Sequence, residues 1–248
     1  MKAALLIIDV QNDYFRNGVL QIKKAKEIIP NINKLRNDYS TKFTNVFISE
    51  INNNPEHISF KESPLSKQED LNLDKITNAY KGKFPYFCIS GTEGSNLHSD
   101  LQLKGNEIII KKNEDKLKEE MSCFQNPILN ETLVNNKINM VFLCGFTLDF
   151  NVGFTAINCS KLGFETYVIK EATKPLGEES GKAMEKNLEK NGVKVITMKE
   201  FEDVIKKVEV IKKEEEKTEP SQTAIEQEKK SGGLIKDLTD KIESEEKK

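Results

Sequence analysis

The sequence predicts an α/β fold of three layers, with helices on both faces of a mostly parallel central sheet of about six strands, followed by a C-terminal tail. Three observations carry this expectation. Short apolar runs alternate with helical patterns from residue 3 to about residue 208. Several runs, AALLIIDV first among them, show no polar alternation, as befits strands covered on both faces. Two helical patterns close on glycines, Gly163 and Gly192, the residue type that ends helices in a left-handed conformation.

In order, the strands are expected at Ala3 to Val10, Asn45 to Ser49, Glu107 to Ile110, Met140 to Cys144, Glu165 to Ile169 and Val193 to Thr197. Ile28, Ile29, Ile32 and Leu35 recur at helical spacing, which predicts a helix over residues 25–39. Further helices are expected over residues 127–136, 152–162, 178–191 and 201–208, and residues 51–106, with repeated proline and glycine, are expected to be mostly loop. In a fold of this type ligands bind beyond the carboxyl ends of the strands. The polar residues there, Asp9, Lys111 and the turn from Gly145 to Asn151, are therefore the candidates for chemistry.

Composition narrows the class. The chain has 248 residues and a net charge of −2, so no basic face for nucleic acid is expected. Arginine occurs only at Arg16 and Arg36, which makes bidentate clamps on carboxylate or phosphate scarce. The four cysteines, Cys88, Cys123, Cys144 and Cys159, fit no zinc or CxxC spacing, and a reducing, cytoplasmic setting is expected. No apolar stretch approaches the roughly 18 residues that span a bilayer, so no membrane association is expected. The domain is expected to occupy residues 1–210. Residues 211–248 are charged and poor in apolar side chains, the composition of a disordered tail. Near residues 234–246, Leu234, Ile235, Leu238 and Ile242 share one helical face, which marks either a docking helix for a protein partner or a solvated tail.

Three segments at strand exits carry a resemblance. ALLIIDVQNDYF opens the chain, EIIIKKNEDKLKEEMSCF follows the third strand, and VFLCGFTLDFNVGFTAINCSKLGFETYVIKEA spans the fourth strand, turn and helix. Together they resemble the nicotinamidase/isochorismatase family of cysteine hydrolases over residues 3 to 205. The loops NPEHISF and FPYFCISGTEGSNLHSDL resemble the nicotinamidase branch in particular. The resemblance implies an aspartate at Asp9 and a lysine at Lys111, with Lys112 one residue on as the competing choice. It also implies a glycine-led turn with an unusual peptide bond, and a cysteine nucleophile that opens the following helix. At that last position this chain has Asn151, in Asp149-Phe150-Asn151-Val152.

In the family the cysteine thiolate attacks an amide carbon, the aspartate transfers the proton, and the lysine orders the pair. A carboxamide has no dissociable proton near neutral pH and only donates and accepts hydrogen bonds, so Asn151 is not competent as a nucleophile. Cys88, Cys144 and Cys159 are each poorly placed to substitute. The implied metal ligands are lost as well: the aspartate position falls on Ile51, the first histidine on Asn53 and the last on Phe87. Only His57 remains, a vestige expected in a loop or at the surface, and zinc needs three or four protein ligands. No metal and no cofactor are therefore expected. For His98 a structural or exposed role is expected.

Asp9 and its lysine have two readings, a working proton-transfer pair or a buried ion pair kept because loss of either member strands a charge. Two functions follow. One is a catalytically inactive family member reused for binding or as a structural subunit of an assembly, with self-association implied by the resemblance. The other is a hydrolase, either of isochorismatase type, with Asp9 and Lys111 acting without a cysteine, or a residual nicotinamidase.

Overall fold

The computed structural model describes residues 1–61, 63 and 84–207. The tail residues Leu234, Ile235, Leu238 and Ile242 lie outside the described residues. Met1–Ile205 cluster as one compact unit. Among the described residues no helix is long and apolar enough to cross a membrane.

Among the described residues, six strands form one sheet: β1 (Ala3–Ile8), β2 (Phe43–Ile51), β3 (Ile108–Lys112), β4 (Met140–Phe146), β5 (Glu165–Lys174) and β6 (Lys194–Ile196). All five pairings are parallel, and the strands lie in the order β3-β2-β1-β4-β5-β6. The principal helices are α1 (Ile28–Asp38), α2 (Pro127–Asn135), α3 (Gly153–Lys161) and α4 (Glu178–Lys190), with α5 over 198–207. β1 and β4 are buried along their whole lengths, as their unbroken apolar sequences predict.

Helices cover both faces. On one, Leu129 and Leu133 of α2, Ala156 of α3, and Met184 and Leu188 of α4 pack on Leu6, Ile8, Val141 and Leu143. On the other, α1 buries Ile28, Ile32 and Leu35, and Phe201 of α5 meets the Phe142 ring edge-on at 5.0 Å. Arg36 of α1 is buried and pairs with Glu107 just before β3, while a second guanidinium contact reaches Asn106 at 3.0 Å. One of the two arginines is thus committed to tying a helix to an edge strand.

Four strands run further than the sequence predicts. β2 gains two residues at each end, β4 continues to Phe146, β3 includes both lysines, and β5 continues through KEATK, pairing again with β4 after a bulge (Gly145 with Thr173). Neighbouring strands satisfy the backbone there, so polar side chains do not end the strand.

The chain begins in the middle of the sheet, builds outward to β3, then returns to β4 beside β1. The direction of winding reverses between β1 and β4, and the crevice at that reversal is where such sheets bind ligands. Asp9 leaves β1 there and the Gly145–Asn151 turn leaves β4 there. Gly145 has φ 108, and a Cβ on it would collide with the Ile8 carbonyl oxygen, so glycine is required for the two strand exits to touch.

Candidate functional site

Asp9 sits one residue past β1 with φ 50, a strained left-handed conformation for a residue with a Cβ. Its carboxylate is fully buried. Oδ1 accepts from the Ser49 hydroxyl at 2.6 Å and Oδ2 accepts from Lys112 Nζ at 2.7 Å. Burial pulls the Lys112 ammonium down, but the Asp9 carboxylate beside it prevails and holds it above its usual range. The lysine of the pair is therefore Lys112, and the expectation of Lys111 is corrected. Adjacent strand residues point to opposite faces. Here Ile110 and Lys112 face inward and Lys111 is exposed, with its carbonyl accepting from Asn126 at 3.4 Å.

The turn after β4 starts at a cis Phe146–Thr147 peptide bond and continues as one π turn, Leu148–Val152, into α3. Asp149 is buried and binds forward in the chain: it accepts from the amides of Leu176 (2.9 Å) and Gly177 (3.0 Å) and from the Ser180 hydroxyl (2.6 Å). It thereby anchors the segment entering α4. Asp149→Ala leaves three donors without their acceptor and is expected to destabilise the fold by about 2–3 kcal/mol. A shift of the urea midpoint at unchanged slope checks it.

Asn151 is 5% exposed and lines a cavity together with Tyr14, Ile51, Phe84, Phe87 and Phe150. The cavity volume is about 20 Å³. One water needs roughly 10–15 Å³ by this measure, and ligand pockets run to about 300 Å³ or more. Neither Asp9 nor Lys112 is among the residues that line it. Tyr14 packs between Phe87 (6.2 Å) and Phe146 (5.5 Å), and burial first, then nearby Cys88 and carboxylates, raises its phenol well above the usual range.

The residues at the implied metal positions do other work. Ile51 exchanges backbone hydrogen bonds with the buried Gln11 amide, its N–H to Oε1 at 2.9 Å and its carbonyl from Nε2 at 2.7 Å. Asn53 donates to the Phe87 carbonyl and accepts from Asn113 Nδ2, both at 2.9 Å. Phe87 packs against Phe60 (5.9 Å) and Phe84 (5.4 Å). His57 lies in the loop after β2, as expected, but it is fully buried, so only a surface placement is corrected. Its Nε2 lies 2.7 Å from the Lys118 carbonyl, which only accepts, so Nε2 carries the proton. Nδ1 then accepts from Ser59 Oγ at 2.7 Å. Both ring nitrogens are taken, and Glu119 Oε2 lies 3.9 Å from Nδ1. Burial pushes the Glu119 carboxyl up, against His57 and Asn113, which lower it. The described residues contain no group of three or more histidine, cysteine, aspartate or glutamate side chains able to hold a metal. The residues present do not fit the family's metal. His98 is largely buried against Phe15, with ring centroids 4.0 Å apart.

All four cysteines are free and buried, and none lines the cavity. Burial raises every thiol: Cys159 is pushed up to about 12, and Cys88, Cys123 and Cys144 also lie above the usual range. Cys123, which was not among the substitutes considered from the sequence, lies near enough to Asp9 and Lys112 to feel both charges, as does Cys88. Burial raises the Cys123 thiol, Lys112 opposes this, and the Ser49 and Thr155 hydroxyls also favour the thiolate. Its position within EMSCF, eleven residues beyond Lys112, was the available signal. Because raised, buried thiols are unreactive, a disulfide reagent is expected to find no fast-reacting thiol in the folded protein and all four after denaturation.

Comparison with known proteins matches the site's fold. The Isochorismatase domain family matches residues 3–200. The chain is 33% identical over 181 residues to a nicotinamidase of Acinetobacter baylyi, covering 70% of this chain and 81% of that protein. It is 30% identical over 209 residues to a nicotinamidase of Schizosaccharomyces pombe, covering 79% and 94%. The crystal structure of a Pyrococcus horikoshii pyrazinamidase in complex with zinc superposes with a TM-score of 0.69 at 25% identity, over 80% of this chain and all of that one. With its six parallel strands wound outward from β1, and with Asp9 and the cis-peptide turn meeting where the winding reverses, the chain belongs to the isochorismatase domain family, among relatives that are nicotinamidases.

Proposed function

We propose that this chain is a nicotinamidase-like protein without amidase activity, retained for binding or as a structural subunit of an assembly. The observation that carries the reading is the cavity of about 20 Å³ beneath Asn151, which has room for a water and not for a pyridine carboxamide. Three further features support it. The nucleophile position holds a carboxamide, the Asp9–Lys112 pair is sealed from solvent, and the metal positions are consumed by amide crosslinks and aromatic packing. The alternative, an isochorismatase-type hydrolase, needs an aspartate that reaches a substrate, and Asp9 has no exposed surface.

The test is direct. The purified full chain is assayed with nicotinamide for ammonia and with isochorismate for turnover. No activity above blank is expected with either. Enzymatic ammonia release overturns the proposal, and so does isochorismate turnover that disappears in Asp9→Ala. The binding role is placed in the tail: removing residues 212–248 is expected to abolish association with a protein partner and to leave the domain's urea transition in place.

A further inference from the structure

A second cavity of about 290 Å³ lies along β5, β6 and α4. Its volume is close to the roughly 300 Å³ at which small-molecule pockets begin. It shares one wall with the small cavity: Leu148 lines the larger cavity, while Asn151, in the same π turn, lines the small one. The turn therefore separates the two cavities.

The lining of the larger cavity has a definite chemistry. Leu148, Val168 and Val195 form an apolar wall. Three charged residues of the lining are already engaged with groups outside it: Lys174 with Glu27 at 3.0 Å, Lys182 with Glu179 at 2.7 Å, and Glu178 with Lys23 at 3.9 Å. That leaves Lys170 and Glu185, one cation and one anion, which form no ion pair among the described residues. Thr173 also lines the cavity; it is 5% exposed, and its buried hydroxyl has no hydrogen-bond partner among the described residues. Buried hydroxyls without a partner are uncommon and call for an explanation. On α4, Gly181 allows close approach to Pro175, since a Cβ there would meet that ring at 2.7 Å, and this keeps the helix wall in place.

We propose that this cleft binds a small zwitterion with an apolar body, of the class of free aliphatic amino acids. Lys170 takes the carboxylate, Glu185 takes the ammonium, the apolar wall takes the side chain, and Thr173 supplies a hydroxyl at the base. A simple organic anion would leave Glu185 facing it uncompensated, and a simple amine would do the same to Lys170. The proposal stands whether or not the Asn151 site supports any chemistry.

The experiment uses the full chain and three probes of equal apolar size: L-leucine, 4-methylpentanoate without the ammonium, and 3-methylbutylamine without the carboxylate. Binding is followed by calorimetry and by amide chemical shifts. L-leucine is expected to bind about tenfold more tightly than either analogue, the equivalent of one charged contact. Lys170→Gln is expected to erase the gap between leucine and the amine, and Glu185→Gln the gap between leucine and the acid. Both side chains are at the surface, so both variants are expected to fold, which their circular dichroism checks. Val195→Trp, which fills the cavity, is expected to abolish binding. Absence of leucine binding overturns the proposal, as does either charge variant that keeps the wild-type preference, or binding that survives Val195→Trp.

Discussion

Asp9→Ala is expected to destabilise the folded domain by about 3–5 kcal/mol, because it leaves the Lys112 ammonium buried without its counter-charge. The two charges are 2.7 Å apart, with side chains 1% and 0% exposed, so water cannot take over the role of the missing partner. Replacing both members with apolar residues, Asp9→Leu with Lys112→Met, is expected to recover most of that loss, since no lone charge then remains. The pH dependence follows from the lysine. Its folded value is raised, so its contribution to stability is complete below the unfolded value of about 10.4 and is lost as pH rises through the folded value. The urea midpoint of the wild type is therefore expected to fall above about pH 10.4 by a component that the double variant lacks. If Asp9→Ala is as stable as the wild type, the pair is not a structural ion pair, and its persistence needs a catalytic explanation.

Nicotinamide is expected to be stable in the presence of this protein, and restoring the sulfur is expected not to change that. Loss of a triad nucleophile costs about six orders of magnitude in rate. Asn151→Cys returns the atom but not the space: the cavity stays near the size of one water, walled by Phe84, Phe87 and Phe150. The Asp9–Lys112 pair also remains outside the lining of that cavity. Ammonia release by Asn151→Cys is therefore expected to match the wild-type blank. A gain of two orders of magnitude or more over that blank would mean that the aromatic wall opens in solution, and that the asparagine alone silences the site.

Much of this fold is legible in the sequence. Buried parallel strands need apolar residues on both faces, and helices over such a sheet need a 3.6-residue apolar period, so AALLIIDV, MVFLCGF and the pattern at Ile28–Leu35 point to the fold directly. Glycine caps are equally readable, because few other residues adopt positive φ at low cost; Gly163 and Gly192 have φ 91 and 75. The end of β5 was not legible, because Thr173 and Lys174 are held by pairing with Gly145 and Phe146 of β4 and not by their own preference.

The site divides the same way. Which residue types occupy the nucleophile and metal positions is a property of the sequence alone, since a carboxamide or a phenyl ring cannot do the work of a thiolate or an imidazole wherever it lies. The tertiary structure alone decided which lysine meets Asp9. EIIIKK has no alternation that distinguishes its faces, and the choice between Lys111 and Lys112 rests on a one-residue register set by pairing with β2. The structure also decided that Cys123 is buried within reach of the ion pair's charges and that His57 is buried with both nitrogens engaged. Contacts such as Asp9 to Lys112, 103 positions apart, arise from packing. A linear pattern records what each residue prefers, and only the assembled sheet records what it faces.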